Sequence, residues 1–464
     1  MCIRDRLNRF TKFINSPYFN INKSLIKLGE LLVTSIKSEK VYQSKEEIWS
    51  QLFGDAVPFE DLRFRKICNE LLERFERFLV NEELNSLKLL QANLLLDSIK
   101  ELKLNSLVDK QVKKSERIIN REIDKSAEYY LRVYFNKKRL QSLKSNYEKK
   151  VDIKNSLSQM TYLDLSQNLD SFYVIEKLRH ATDILAWRKL YKTDIELDLG
   201  FTLALIEKYQ LEKIPAVKVY SLMYKLMSGE GDYNDYWELK SLSEQYIDNF
   251  PREEQREIID TLLTFVIKDV NKGDRKAVAE MVDLYEWGVD TAIILDQGYL
   301  SPTTFRNYVV GGLRLGMFDK VEKFINKNAG LLEESSRENA VNFNLSRVAF
   351  YRKDFDGVLT YLNKVNYDDV WYSINSRSNL LAVYYELKEF DVLESQMDSF
   401  TSYLRREKSL DTNKRALYMN FIIHLKKIYK NKDKASLQKI REELQAEKLV
   451  NNKAWLLEKI DELL

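Results

Sequence analysis

The sequence predicts an all-α protein built from paired helices, and three observations carry this prediction. The 464 residues include only 13 glycines and 5 prolines, well below the typical shares of about 7 % and 5 %, so turn residues for extensive sheets are lacking. Charged residues make up 31 % and apolar residues 44 %, a mixture typical of amphipathic helices. A pattern of two helices joined by a tight turn also recurs in the C-terminal third, as in stacked arrays.

The first six residues, Met1 to Arg6, match the in-frame translation of a transposase-end sequencing adapter. We therefore expect residues 1–6 to be an artefact in place of the natural N-terminus, and we leave them out of the fold prediction. Without Cys2, the cysteine that remains is Cys68. One cysteine makes neither a disulfide framework nor a zinc site, which favours a cytoplasmic location.

Residues 7–80 predict an N-terminal helical module. Its first short helix ends before Pro17, because a proline disfavours helical geometry in the preceding residue. Asn22 or Ser24 is a candidate cap for the second helix, and Ser44 begins a capping-box pattern at the third. A longer amphipathic helix is predicted from about residue 60 to residue 79.

Residues 84–297 predict an irregular array of helix pairs. Amphipathic stretches follow one another over about 84–102, 107–125, 127–147, 155–191, 199–209, 216–227 and 233–250. Ser228 to Gly231 is a break, and Pro251 is well placed to begin the next helix. Sustained heptads are missing from the sequence, which disfavours a coiled coil.

Residues 298–464 predict three similar helix pairs, a fourth pair and a C-terminal capping helix. Phe318, Phe355 and Phe390 occupy the same place in the first three pairs. Their spacing is close to the 34 or so residues of a tetratricopeptide repeat (TPR), which consists of two helices. Gly311 and Gly312 lie where helices of such a pair have to approach closely.

We therefore predict an all-α fold, a right-handed α-solenoid of degenerate TPR-like helix pairs with the N-terminal helical module. Stacked pairs leave a concave groove that holds an extended or helical segment. The predicted function is a non-catalytic protein–protein interaction scaffold that binds a segment of an unknown protein partner in this groove. The candidate partner-binding residues, on the first helices of the pairs, are Arg306, Arg314, Asn344, Arg347, Tyr351, Asn375 and Tyr385.

The chain also resembles an uncharacterised bacterial family of tetratricopeptide-like α-solenoid proteins, over roughly residues 7–430. The matching stretches are Ser16 to Asn20, Asp61 to Lys66, Leu169 to Leu185, Leu300 to Pro302, Glu338 to Ala340 and Asp368 to Arg377. The resemblance implies the solenoid fold, and it implies no particular reaction or ligand.

Sequence motifs of common enzymes are missing, namely GxxxxGK[ST], GxSxG and HExxH. The glycine cluster from Gly311 to Gly316 follows no predicted strand, so close helix packing is favoured over phosphate binding. His180 and His424 are predicted to be packed or surface residues, and Asp368 with Asp369 to cap a helix. We predict no catalytic residue, no metal site and no cofactor.

An alternative prediction is a nucleic-acid-binding regulator that uses residues 25–79 or the basic segment 100–154. The net charge of +3 gives no overall reason to bind nucleic acid or membrane, and the longest uncharged run, Ala416 to Leu425, is too short to span a bilayer. The basic segment is nevertheless locally positive, although a solvated helix face is the favoured interpretation. Its candidate residues are Lys137, Lys138, Arg139, Lys144, Lys149 and Lys150.

Overall fold

The structure is a computed structural model that describes residues 3–38, 44–123, 125–145, 157–431 and 433–464. Throughout these residues the regular elements are helices, apart from a single β-bridge between Asp296 and Tyr299. The predicted all-α class is therefore confirmed. The chain divides into two compact units, unit 1 (Met1–Ser221 and Asp248–Phe250) and unit 2 (Leu222–Ile247 and Pro251–Leu464).

Unit 1 contains nine of the described α-helices, and α10 (Pro215–Ser228) crosses the division between the units. The nine are α1 (Ile3–Ile14), α2 (Lys23–Ser38), α3 (Lys45–Phe53), α4 (Asp61–Ser86), α5 (Lys88–Glu101), α6 (Val108–Arg121), α7 (Ala127–Ser145), α8 (Leu157–Tyr191) and α9 (Gly200–Tyr209). The three-part domain organisation drawn from the sequence stays a prediction.

Unit 2 contains the remaining described α-helices. They are α11 (Tyr233–Tyr246), α12 (Arg252–Val270), α13 (Arg275–Asp290), α14 (Pro302–Arg314), α15 (Phe318–Asn328), α16 (Glu334–Tyr351), α17 (Phe355–Leu362), α18 (Val370–Glu386), α19 (Phe390–Arg406), α20 (Thr412–Lys430), α21 (Lys434–Ala446) and α22 (Lys453–Leu463). A short 3-10 helix, Ala329–Leu331, follows α15.

The first four helices enclose a hydrophobic core of their own. Phe10 and Ile14 of α1 pack with Leu28 of α2 and Trp49 of α3. The hydroxyl of Ser44 accepts a backbone N–H in the first turn of α3, which confirms the predicted cap. Helix α4 continues beyond the predicted end near residue 79, because residues 80–86 contain neither glycine nor proline to stop it.

Consecutive helices of unit 2 pack against each other in the order of the sequence. The contacting pairs are α12 with α13, α14 with α15, α16 with α17, α18 with α19, and α20 with α21. The first helices of neighbouring pairs also touch, α14 with α16 and α16 with α18. Phe318, Phe355 and Phe390 each begin the second helix of a pair, so their predicted equivalence is confirmed.

The turns within three of these pairs share one backbone geometry. Gly316, Lys353 and Lys388 have positive φ values of 79°, 60° and 61°. In each turn the next residue donates its N–H to a carbonyl five positions earlier, at 2.9 Å. This hydrogen bond and the left-handed residue together define a helix C-terminus that closes the first helix tightly.

The pair α12–α13 has the same turn, although the sequence analysis did not include it among the repeats. Gly273 has a φ of 92°, and Asp274 donates its N–H to the carbonyl of Asp269 at 3.1 Å. This pair lacks the phenylalanine that marks the later turns, since Arg275 begins α13. The turn geometry therefore extends one pair further toward the N-terminus than the side-chain pattern.

Gly311 and Gly312 occupy close helix contacts, as predicted. A Cβ atom on Gly312 would lie within 2.4 Å of a Val321 methyl group on α15. On Gly311 it would lie 2.7 Å from Val282 on α13. These two positions let α14 approach the helices before and after it.

Candidate partner-binding site

The candidate residues lie on the first helices of three consecutive pairs in unit 2. Five side chains from these helices and the next form what we call the arginine cluster, and they are Arg306 on α14, Arg347 on α16, Trp371 and Asn375 on α18, and Tyr418 on α20. Three of the five were predicted from the sequence. The cluster therefore brings together four helices that the sequence places far apart.

Arg306 stacks on Trp371, which belongs to a helix two pairs further along the unit. The guanidinium carbon lies 4.6 Å from the centroid of the indole ring, within the range of a cation–π interaction. Among the described residues, Arg306 has no hydrogen bond and no carboxylate within ion-pair distance. Its N–H groups therefore remain available to another molecule.

Arg347 has a buried nitrogen that lacks a hydrogen-bond partner among the described residues. Its Nη1 atom is inaccessible to solvent and makes no hydrogen bond in the described chain, although the residue as a whole is only half-buried. Burial lowers the pKa of the Arg347 guanidinium, and the neighbouring charge of Arg306 lowers it further. Leaving a buried donor unpaired is costly, so this nitrogen is poised to gain a hydrogen bond.

Tyr418 and Asn375 form the neutral part of the cluster. The Tyr418 hydroxyl donates to the Asn375 side-chain oxygen at 3.0 Å, and the Asn375 amide donates to the Trp371 carbonyl at 2.8 Å. Burial raises the pKa of Tyr418 to about 12, while Arg347 and Arg306 lower it. The phenol stays protonated at neutral pH, so it adds no negative charge to offset the arginines.

Asn344 is a correction to the sequence analysis, because it is buried in α16 rather than available to a partner. Only 1 % of it is exposed, and its amide donates to the Ala340 carbonyl at 2.8 Å. The side-chain oxygen of Asn344 is buried and has no hydrogen bond from any described residue. Helix α16 packs against α14, α15, α17 and α18, and most of its surface is therefore covered.

The other three candidates lie outside the cluster. Arg314 is exposed and donates to the Val270 carbonyl at 3.3 Å. Tyr385 packs edge-on against Trp455, with ring centroids 5.5 Å apart. Tyr351 remains 49 % exposed, and it is near enough to influence the pKa of Arg347. Of these three, Tyr351 borders the cluster.

Trp371 and Tyr418 were not predicted from the sequence. Trp371 lies at the start of the helix that Asp368 with Asp369 was predicted to cap, and Asp369 does cap it, since it accepts the N–H of Tyr372 at 3.0 Å. Tyr418 lies on α20, and no residue of this helix was among the candidates predicted from the sequence. The repeat could have indicated both residues, because two other aromatic residues on first helices, Tyr351 and Tyr385, were already candidates.

Three of the six basic residues of the nucleic-acid alternative have side chains that the structure describes, and each has a partner within unit 1. Lys137 is paired with Asp164, and the Arg139 Nε atom lies 2.8 Å from a carboxylate oxygen of Asp97. The ammonium of Lys138 bonds to the hydroxyl of Tyr134 at 3.3 Å. The side chain of Lys144 and all of Lys149 and Lys150 lie outside the described residues.

The two histidines differ in their exposure to solvent. His424 is buried and its Nδ1 atom has no hydrogen bond within the part of the chain that the structure describes, whereas His180 is exposed near Glu176. Where the chain is described, no three His, Cys, Asp or Glu side chains are grouped so that they could hold a metal ion. Among the described helices, none is both long and apolar enough to cross a membrane.

Searches against protein-family models, curated proteins and solved structures find no match to this chain. The candidate site is therefore interpreted from its own geometry and charge. The arginine cluster offers guanidinium N–H groups and aromatic faces, which suit a binding site.

Proposed function

We propose that unit 2 is a non-catalytic scaffold that binds a segment of a partner protein across its first helices. In this proposal the helix pairs stack as a right-handed α-solenoid of TPR-like pairs, and the first helices line its concave groove. The repeated turn at Gly316, Lys353 and Lys388 supports equivalent pairs. Contacts from α14 to α16 and from α16 to α18 support stacking in register.

The lack of counter-charges at the arginine cluster is the observation that carries the proposal. Arg352, at the end of α16, is paired with Asp319 at 2.6 Å and with Glu322 at 2.7 Å, and Arg415 donates to three backbone carbonyls. Arg306 and Arg347 lack such carboxylates in the described chain. Arginine and tryptophan are also the side chains that most often dominate the energy of a protein interface.

Site-specific photo-cross-linking tests this proposal. A photoreactive amino acid replaces Tyr351 beside the cluster or, as the control, Thr360, which is exposed on the second helix α17. We expect a discrete adduct to form in cell extract at position 351 and not at 360, and Arg347→Met to remove it. Equal adducts at both positions, or none at 351 in a folded chain, would contradict the proposal.

A further inference from the structure

The arginine cluster presents two positive charges to one small region. Arg306 stacks on Trp371 and Arg347 on Phe343, and the centroids of these two rings lie 5.1 Å apart. Both arginines also lower the pKa of Tyr418. The carboxylate of Asp369 is the cap of α18 and forms no ion pair with Arg306. A ligand that satisfies this region has to bring more than one negative charge.

The side chains that contact the two guanidinium groups are neutral aromatic rings. Arg306 lies over the Trp371 ring, and Arg347 lies 5.5 Å from the centroid of Phe343. Tyr418 and Asn375 bind each other and Asn375 also binds the Trp371 backbone. These groups hold the arginines in place, and no carboxylate of the described chain lies within ion-pair distance of either guanidinium. The site is therefore organised before a ligand arrives.

We propose that Arg306 and Arg347 bind a phosphoryl group carried by the partner segment, an inference that rests on the proposed function. A phosphoryl group carries about −1.5 to −2 charges near pH 7 and three acceptor oxygens. It matches two guanidinium groups in charge and accepts from both at once. A single carboxylate would leave one guanidinium without compensation in a partly buried site.

Calorimetric titration of the full chain with capped amino acids tests this inference. The probes are N-acetyl-O-phosphoserine amide, N-acetyl-glutamate amide and inorganic phosphate, at matched ionic strength. We expect the capped phosphoserine to bind at least about tenfold more tightly than the capped glutamate. Equal or tighter binding of glutamate overturns the phosphoryl assignment, and tighter binding of inorganic phosphate overturns the assignment to a partner segment.

Matched variants identify the site of binding. Arg347→Met and Arg306→Met should each weaken the capped phosphoserine at least about tenfold, with helicity and thermal unfolding followed to verify folding. Arg352→Met is the control, because Arg352 already has carboxylate partners. Loss of binding in Arg352→Met alone, or unchanged binding in both cluster variants, overturns the inference.

The two proposals fail in different experiments. If the capped phosphoserine does not bind but the Arg347-dependent adduct at Tyr351 persists, the partner-binding function stands and the phosphoryl inference is wrong. If neither is observed in a folded chain, both are wrong. Arg306→Met keeps the test decisive if Arg347→Met fails to fold, because Arg306 makes no hydrogen bond in the described chain.

Discussion

Gly312 determines how closely α14 and α15 pack, since an added methyl group would overlap a Val321 methyl at 2.4 Å. We expect Gly312→Ala to lower the free energy of unfolding by about 1–3 kcal/mol, the usual cost of overpacking. Urea unfolding followed by circular dichroism measures it. Gly330→Ala is the matched control, because a Cβ there meets nothing within 4 Å. An equal loss in both variants would contradict this account of the contact.

His424 makes the stability of unit 2 depend on pH. Burial lowers its pKa below the ordinary value, and Lys427 and Lys453 lower it while Glu443 and Glu447 raise it. The unfolded state therefore takes up a proton before the folded state does, and stability falls as the pH drops below about 6.5.

We expect the unfolding midpoint to fall more between about pH 7.5 and 5.5 in the natural chain than in His424→Phe. Thermal unfolding of both chains at a series of pH values measures this difference. The same pH dependence with and without His424 would show that its burial has no effect on stability.

At the scale of the element, the turns between paired helices place lysines where glycine is favoured. Lys353 and Lys388 adopt φ values of 60° and 61°, while the equivalent Gly316 has 79°. A side chain at such a position costs on the order of 1 kcal/mol or more. We expect Lys353→Gly and Lys388→Gly each to stabilise the fold by about 1 kcal/mol in urea unfolding.

The reverse substitution provides the control for these turns. Gly316→Ala should destabilise the fold by a similar amount through the backbone alone, because a Cβ there has no neighbour within 4 Å. Stabilisation by Gly316→Ala, or a loss in both lysine variants, would be inconsistent with three equivalent turns.

Most helices could be predicted from the spacing of apolar residues, because that spacing directly reflects which face is buried. The α12–α13 turn was missed because Gly273 is followed by Asp274 and Arg275 rather than by phenylalanine. Helix α4 was predicted too short, since no local signal distinguishes its last turns from its middle.

Across the whole molecule, the arginine cluster could be predicted only in part. Arg347 and Arg352 are both arginines near the end of α16, and the sequence does not distinguish them. In the structure Arg352 reaches Asp319 and Glu322, whereas the Nη1 atom of Arg347 has no hydrogen bond among the described residues. Such partners come from other helices, so the sequence does not reveal which arginine lacks a counter-charge. Tyr418 joins the cluster for the same reason, through packing between pairs.

The distribution of charges in unit 1 leads to a prediction about nucleic acid. Lys137 and Arg139 already have the carboxylates of Asp164 and Asp97, so phosphate contacts would have to displace these ion pairs. We expect no retention of duplex DNA or RNA at about 50 mM salt, measured by filter binding. Retention that falls steeply with salt and is lost in Lys137→Glu would instead support the nucleic-acid alternative.

The central claim is that a partner segment binds at the arginine cluster of unit 2. The most direct test is the dissociation constant of the segment cross-linked at position 351, measured for the natural chain, Arg347→Met and Arg352→Met. We predict at least about a tenfold weaker constant for Arg347→Met and an unchanged one for Arg352→Met. Equal affinity of all three folded chains for the segment would contradict the claim.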